Sequence, residues 1–340
     1  MSKLILLLGN GFTIDLISKL GKSEVINTKN LFCKGDLVEW PDGQGKKGFL
    51  SYKNCRNLWN LGARPHMNER DAQEMIEDII SCANTLTRTM LDLSESENIY
   101  RSAYYELIAY LKHLFIMYND LVLDSELMSE KINEWGWYRL INGANNSDLI
   151  DEINIITYNY DIFLERVLKL HNIGFNIVGL TDNDEKIKIF KPHGSISFCH
   201  QNSGEKSSYS IRKDPDMYEA KLTNFIVRYD KLDENYYIDA MIPPSGDSSR
   251  MTFQWAKEIR DEIETMVNHM TSEDKMVISG LSYWHVDRRE IDDILVNTPK
   301  NVEISMVNPN PPKSLEAVIS SIFDNYVLFS DSSSIGGLYE

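Results

Sequence analysis

Two segments of this 340-residue chain carry side chains able to act on a bound substrate. The first is Thr157-Tyr158-Asn159-Tyr160-Asp161, which closes an apolar run beginning at Ile153. Asn159 offers a donor and an acceptor, suited to ribose hydroxyls or to a water. Asp161 could bond the turn or cap the helix that follows. The second is Lys191-Pro192-His193-Gly194-Ser195, after another short apolar run. An imidazole titrates near neutrality and can serve as a general base. A following glycine leaves one side of it unshielded. The plainer alternatives are a strand-to-helix turn closed by Asn and Asp, and a hydrogen-bonded loop histidine.

A third segment could hold a phosphate. Leu4 to Leu8 is continuously apolar and runs into Gly9-Asn10-Gly11-Phe12-Thr13. A glycine turn between a first strand and a helix lets backbone N–H groups approach a pyrophosphate, aided by the helix dipole. Ile14 stands where the full dinucleotide fingerprint has its third glycine, so the motif is incomplete. Asp15 suits the first helical turn but repels phosphate unless it points away. Ile278-Ser279-Gly280-Leu281-Ser282, with Asp287 beyond it, and Met306-Val307-Asn308-Pro309 are two further strand ends in small or turn-forming residues.

These five segments need elements that gather them. Each follows an apolar run, and a parallel sheet would bring all five to one edge. The run at 4–8 reads as a strand buried on both faces, with a helix starting near Thr13, whose hydroxyl could cap it. Residues 21–66 read as one long irregular loop, a candidate lid over the site. Residues 69–93 and 97–121 carry helical apolar stripes, the first capped by Asn68, and a third helix is expected after Asp124. Strands are expected at 153–157, 174–178, 186–190, 275–279 and 302–307, and helices at 162–170, 253–270 and 286–297; residues 200–250 read as polar and broken. The alternation implies an α/β fold, a Rossmann-like, doubly wound and mostly parallel sheet with an inserted helical subdomain. The expected domains are 1–66 with 146–340 for the nucleotide-binding part, and 67–145 for the helical insertion.

Bulk properties narrow the classes. The formal net charge is -16, from 51 acidic and 35 basic residues. Such a molecule repels nucleic acid and anionic lipid. Cys33, Cys55, Cys82 and Cys199 form no C-x-x-C pair, which argues against a zinc module and fits free thiols in a reducing compartment. No apolar run reaches the roughly 18 residues of a membrane span, and the run at 4–8 is too short for a signal peptide. No metal, nucleic acid or membrane partner is expected, and the cytoplasm is the expected location.

Taken together, the segments resemble sirtuin-like proteins, in particular the zinc-less NAD-hydrolysing effectors of bacterial anti-phage defence systems. The family order is a Gly-Ala-Gly-type turn, a Thr-x-Asn-x-Asp segment, a His-Gly segment, a Gly-x-Ser turn and a late Asn. Here these look like Gly9-Asn10-Gly11, Thr157 to Asp161, His193-Gly194, Gly280-Leu281-Ser282 and Asn308. The resemblance spans most of the chain apart from 21–66 and the helical insertion. Two features depart from it. The zinc-ribbon cysteines of deacylating sirtuins are absent, and the arginine-bearing loop after the glycine turn has no counterpart. The first motif is also similar to an abortive-infection family that begins Gly-Asn-Gly-Phe-Asp.

The resemblance implies an NAD+ glycohydrolase with NAD+ as substrate and no metal. Asn159 and His193 would be catalytic. Gly9, Asn10, Gly11, Phe12 and Thr13 would hold the pyrophosphate. Ser282 and Asn308 would hold the adenosine half, with Thr157, Tyr158, Asp161, Gly194, Gly280 and Asp287 completing the NAD site. It further implies an abortive-infection toxin gated by oligomerisation or by a partner, such as a ring ATPase, an Argonaute-like or nucleotide-pyrophosphatase-like subunit, or a phage protein. The alternatives are a non-catalytic NAD or ADP-ribose sensor, and a residual deacylase or ADP-ribosyltransferase.

Overall fold

The structure is a computed structural model that describes residues 2–88, 98–212, 215–243, 253–283 and 288–339. Its strands are β1 (Ser2–Leu8), β2 (Ile150–Thr157), β3 (Phe175–Ile177), β4 (Ile187–Phe190), β5 (Gly194–His200), β6 (Ser203–Gly204), β7 (Phe225–Val227), β8 (Asn235–Tyr236), β9 (Asp239–Met241), β10 (Lys275–Ser279), β11 (Glu303–Val307) and β12 (Asn325–Phe329). The helices are α1 (Asn10–Leu20), α2 (Arg56–Leu61), α3 (Glu69–Arg88), α4 (Ile99–Asp120), α5 (Asp124–Leu127), α6 (Glu130–Asn133), α7 (Gly136–Asn146), α8 (Phe163–Leu170), α9 (Gln254–Asn268), α10 (Arg288–Asn297) and α11 (Lys313–Ile322).

Seven parallel strands form the central sheet in the order β12-β11-β10-β1-β2-β4-β3. The Rossmann-like α/β fold read from the alternation is therefore present. Leu4 to Leu8 are fully buried, as a central strand covered on both faces requires. The chain grows from β1 through β2 to one side, then returns to β10 on the other. The strand order thus reverses between β1 and β10, the place where open α/β sheets bind ligands. Register aligns Leu8 with both Thr157 and Ser279, and Ser279 with Val307. The turns after β1, β2, β10 and β11 consequently open on one edge, joined by the loop after β4.

The turns after β1 and β10 are in backbone contact. Gly9 N donates to Ser279 O at 2.9 Å and Gly11 N to Gly280 O at 3.2 Å. Gly280 has φ +65°, and a Cβ there would lie 2.4 Å from Gly11 N. Gly21, the C-cap of α1, shares the left-handed conformation, but a Cβ there meets nothing within 4 Å. Gly21→Ala is therefore expected to cost only the conformational penalty, about 1–2 kcal/mol. Gly280→Ala adds a backbone clash and is expected to exceed it by about 2 kcal/mol or more. Denaturant midpoints of the two variants test this; equal losses would show that the turns can part freely.

The described residues of the segment 67–145 share one continuous core with the sheet. Phe12 of α1 packs on Trp135 and Trp137 at ring distances of 5.0 and 5.5 Å. Every residue of α4 from Ser102 to Ile116 is buried, so α4 is a central helix rather than an amphipathic cover. The third expected helix is broken into α5, α6 and α7. The segment 21–66 is not a free lid either, because Phe32, Val38, Phe49 and Leu58 within it are fully buried. The broken stretch after residue 200 adds β7 and β9 to β5 as a small antiparallel sheet, β7-β5-β9, and holds the β6-β8 pair. The strand β12 and helix α11 were not expected from the pattern. No helix among the described residues is long and apolar enough to cross a membrane, and all four cysteines are free thiols.

Candidate active site

Around the glycine turn, hydrogen bonds run inward. Besides Gly9 and Gly11, Phe12 N donates to Gly9 O at 3.0 Å. Three of the N–H groups expected to face a pyrophosphate are thus engaged within the protein. The start of α1 has no side-chain cap, and Thr13 does not supply one. Its hydroxyl instead donates to Asp161 Oδ2 at 2.7 Å. Asn10 Nδ2 donates to Thr28 O at 3.0 Å, tying the turn to the following loop. Phe12 is buried among tryptophans, so its ring is committed to packing. Asp15 does point away, accepting hydrogen bonds from Trp135 Nε1 and Ser332 Oγ at 2.8 and 2.7 Å.

Asn159 is fastened to this turn. Its Nδ2 donates to Gly9 O and to Thr13 Oγ1, both at 3.0 Å. Its backbone N–H donates to Thr157 Oγ1 at 3.2 Å. Among the described residues Oδ1 has no hydrogen-bond partner, which leaves Asn159 an acceptor for a substrate rather than both donor and acceptor. Below it lies a buried ionic network. Lys191 Nζ donates to Asp161 O at 2.6 Å and to Glu165 Oε1 at 2.7 Å, with Lys191 and Glu165 each 1% exposed. Burial pushes both the Asp161 and the Glu165 carboxyls upward, and the Lys191 ammonium opposes it in each.

His193 belongs to a different network. It is 1% exposed, so the expectation of an unshielded imidazole fails. The Tyr158 ring covers it at 4.8 Å, and its Nε2 lies 3.0 Å from Glu290 Oε2. Gly194 serves packing: at φ +81°, its Cβ would stand 1.8 Å from Ala240 O. Glu290, on α10, also pairs with Arg260 of α9 at 2.7 Å. Burial raises the Glu290 carboxyl, but His193 and Arg260 outweigh it and hold the group down at about 2. An ionised carboxylate only accepts, so His193 Nε2 carries the proton of this bond.

The low titration of Glu290 has a measurable consequence. A carboxyl that titrates near 2 folded and 4.5 unfolded adds stability that is complete above pH 4.5 and lost as pH falls through about 2. The contribution is at most about 3 kcal/mol. Glu290→Gln is expected to flatten the acid side of the stability–pH curve, read by urea unfolding at intervals from neutral to acidic pH. An unchanged acid limb would show that the pair adds nothing.

Asn159 and His193 are brought to the same edge, from segments that follow the neighbouring strands β2 and β4. Tyr158 turns toward His193 while Asn159 turns toward Gly9. Thr157 is buried and closes the turn through the bond described above. Asn308 Oδ1 accepts from Asn310 N at 2.9 Å, closing its own turn. Ser282 is exposed, with no hydrogen bond among the described residues, and Asp287 lies outside them. Among the described residues no group of three or more His, Cys, Asp or Glu is placed to hold a metal ion. Beside His193 lies a cavity of about 270 Å³ whose walls include Tyr158, Pro192, Arg260 and Glu290. Arg260 and Glu290 were not anticipated. Neither has a sequence signature, since both sit within ordinary helical patterns and meet His193 only through the fold.

No protein-family model matches the chain, and no curated protein matches it.

Proposed function

We propose that the chain is an NAD+ glycohydrolase that releases nicotinamide and ADP-ribose. The observation that carries this reading is the imidazole of His193, backed by an ionised Glu290 and set on the same sheet edge as the acceptor Oδ1 of Asn159. That edge lies beside the strand-order reversal, the usual ligand position of the fold. Pyridinium nicotinamide departs as a neutral base, so no acid is needed to protonate it. Positive charge develops on the ribose as the bond to nitrogen breaks, as in other oxocarbenium-like glycosyl transfers. Asn159 Oδ1 would accept from a ribose hydroxyl or from the attacking water, and His193 would accept a proton as water adds. The Glu290 carboxylate then stabilises the imidazolium that results.

The engaged N–H groups of the glycine turn make that turn a rigid floor, with its dipole as the attraction for phosphate. An unregulated NAD+ hydrolase would poison its host. The proposed role is therefore a defence toxin, held at a low basal activity that a partner chain or self-association raises. Incubation of the chain with NAD+ across a wide range of protein concentration, with nicotinamide and ADP-ribose both quantified, tests the reading. Release of the two in equal amounts is expected. Saturable binding with all NAD+ recovered intact would favour a sensor instead.

A further inference from the structure

We propose that the cavity between α9 and α10 is a binding site for a compact organic cation with a flat apolar body. This inference does not rest on NAD+ hydrolysis, because it concerns binding alone. The floor is apolar, formed by Ile263, Val267 and Ile294 with the Pro192 ring. One wall is aromatic: Tyr158 lines the cavity and covers His193 with the same ring. A volume of about 270 Å³ falls just below the usual range of about 300–1,000 Å³ for ligand pockets, which fits a single ring and not a dinucleotide.

Charge chooses the ligand class. Three carboxylates line the cavity, Glu264, Glu290 and Asp293, against one guanidinium, Arg260. Arg260 and Glu290 are paired at 2.7 Å and answer each other's charge. That leaves Glu264 and Asp293, one on each helix. Glu264 has no ion-pair partner among the described residues, and Asp293 has only a long pair with Arg289, at 4.0 Å on the exposed helix surface. An anion entering here would meet a lining whose carboxylates, three against one guanidinium, outnumber its cations. A cation would meet those carboxylates together with an aromatic face, which attracts it further. Asn297, also in the lining, adds an amide able to bond a polar substituent on the ring.

The test uses the full chain with N-methylpyridinium as the cationic probe and toluene as its neutral isostere. Binding is followed by titration calorimetry at low salt. The cation is expected to bind at least about tenfold more tightly than toluene. In the double variant Glu264→Gln/Asp293→Asn, that preference should fall about tenfold. Both residues are exposed, so the variant is expected to fold, which its urea midpoint verifies. Equal affinity for the two probes, absence of cation binding, or an unchanged preference in the double variant would each overturn the proposal.

Discussion

Replacing Lys191 with Met is expected to cost about 3–5 kcal/mol of stability at neutral pH. Lys191 is 1% exposed, and its ammonium bonds both Asp161 O and the carboxylate of Glu165, itself 1% exposed. Methionine keeps most of the stem volume and removes the charge, so the loss reports electrostatics rather than a cavity. Two buried carboxyls then lack their cation. Their folded pKa values, already raised by burial against the pull of Lys191, should rise further. A group whose folded pKa is raised binds its proton more readily folded than unfolded, so stability falls as pH rises. The destabilisation should therefore be largest at neutral pH and shrink toward acid. Adding Glu165→Leu should recover part of it, because a well-packed apolar pair can replace a buried ion pair. Urea unfolding of the three variants at neutral and acidic pH measures this. A loss under about 1 kcal/mol for Lys191→Met would mean that the pair is solvated.

Asn159→Ala and His193→Ala are each expected to lower nicotinamide release by about 10²–10⁴-fold, the usual worth of a positioned acid–base group. The two should fail differently. Asn159→Ala removes two hydrogen bonds that hold Gly9 and Thr13 as well as the acceptor presented to substrate. Some of its loss should appear as weaker NAD+ binding. His193→Ala leaves the glycine turn untouched, so its loss should fall on turnover. It also leaves Glu290 buried with Arg260 alone, which should soften the acid limb of stability as Glu290→Gln does. Full turnover by a folded His193→Ala protein would remove the imidazole from the mechanism.

The central sheet was legible because buried parallel strands are written as mostly apolar runs. Leu4 to Leu8, Ile153 to Thr157 and Met276 to Ser279 each read that way. Their turns were legible for the same reason, and register then carried them to one edge. The strands after residue 200 escaped notice because β7 and β9 have three residues each, and β6 and β8 two, too few to show alternation. The strand β12 lies at the sheet edge and is exposed at Asn325, Val327 and Leu328, so its five residues carry no buried stripe. At the site, residue types pointed to Asn159 and His193, yet their surroundings could not be read. Nothing local shows that Asn159 Nδ2 is engaged by Gly9 and Thr13, or that His193 is covered by Tyr158. Glu290 lies 97 residues from His193, and only packing of α10 against the loop after β4 joins them.

The most direct measurement is nicotinamide released from NAD+ by the wild-type chain and by His193→Ala side by side, at protein concentrations high enough to allow self-association. The account predicts release by the wild type, matched by ADP-ribose, and a loss of at least about 10²-fold in the variant. Intact NAD+ with the wild type at every concentration, or equal release by both proteins, would contradict it.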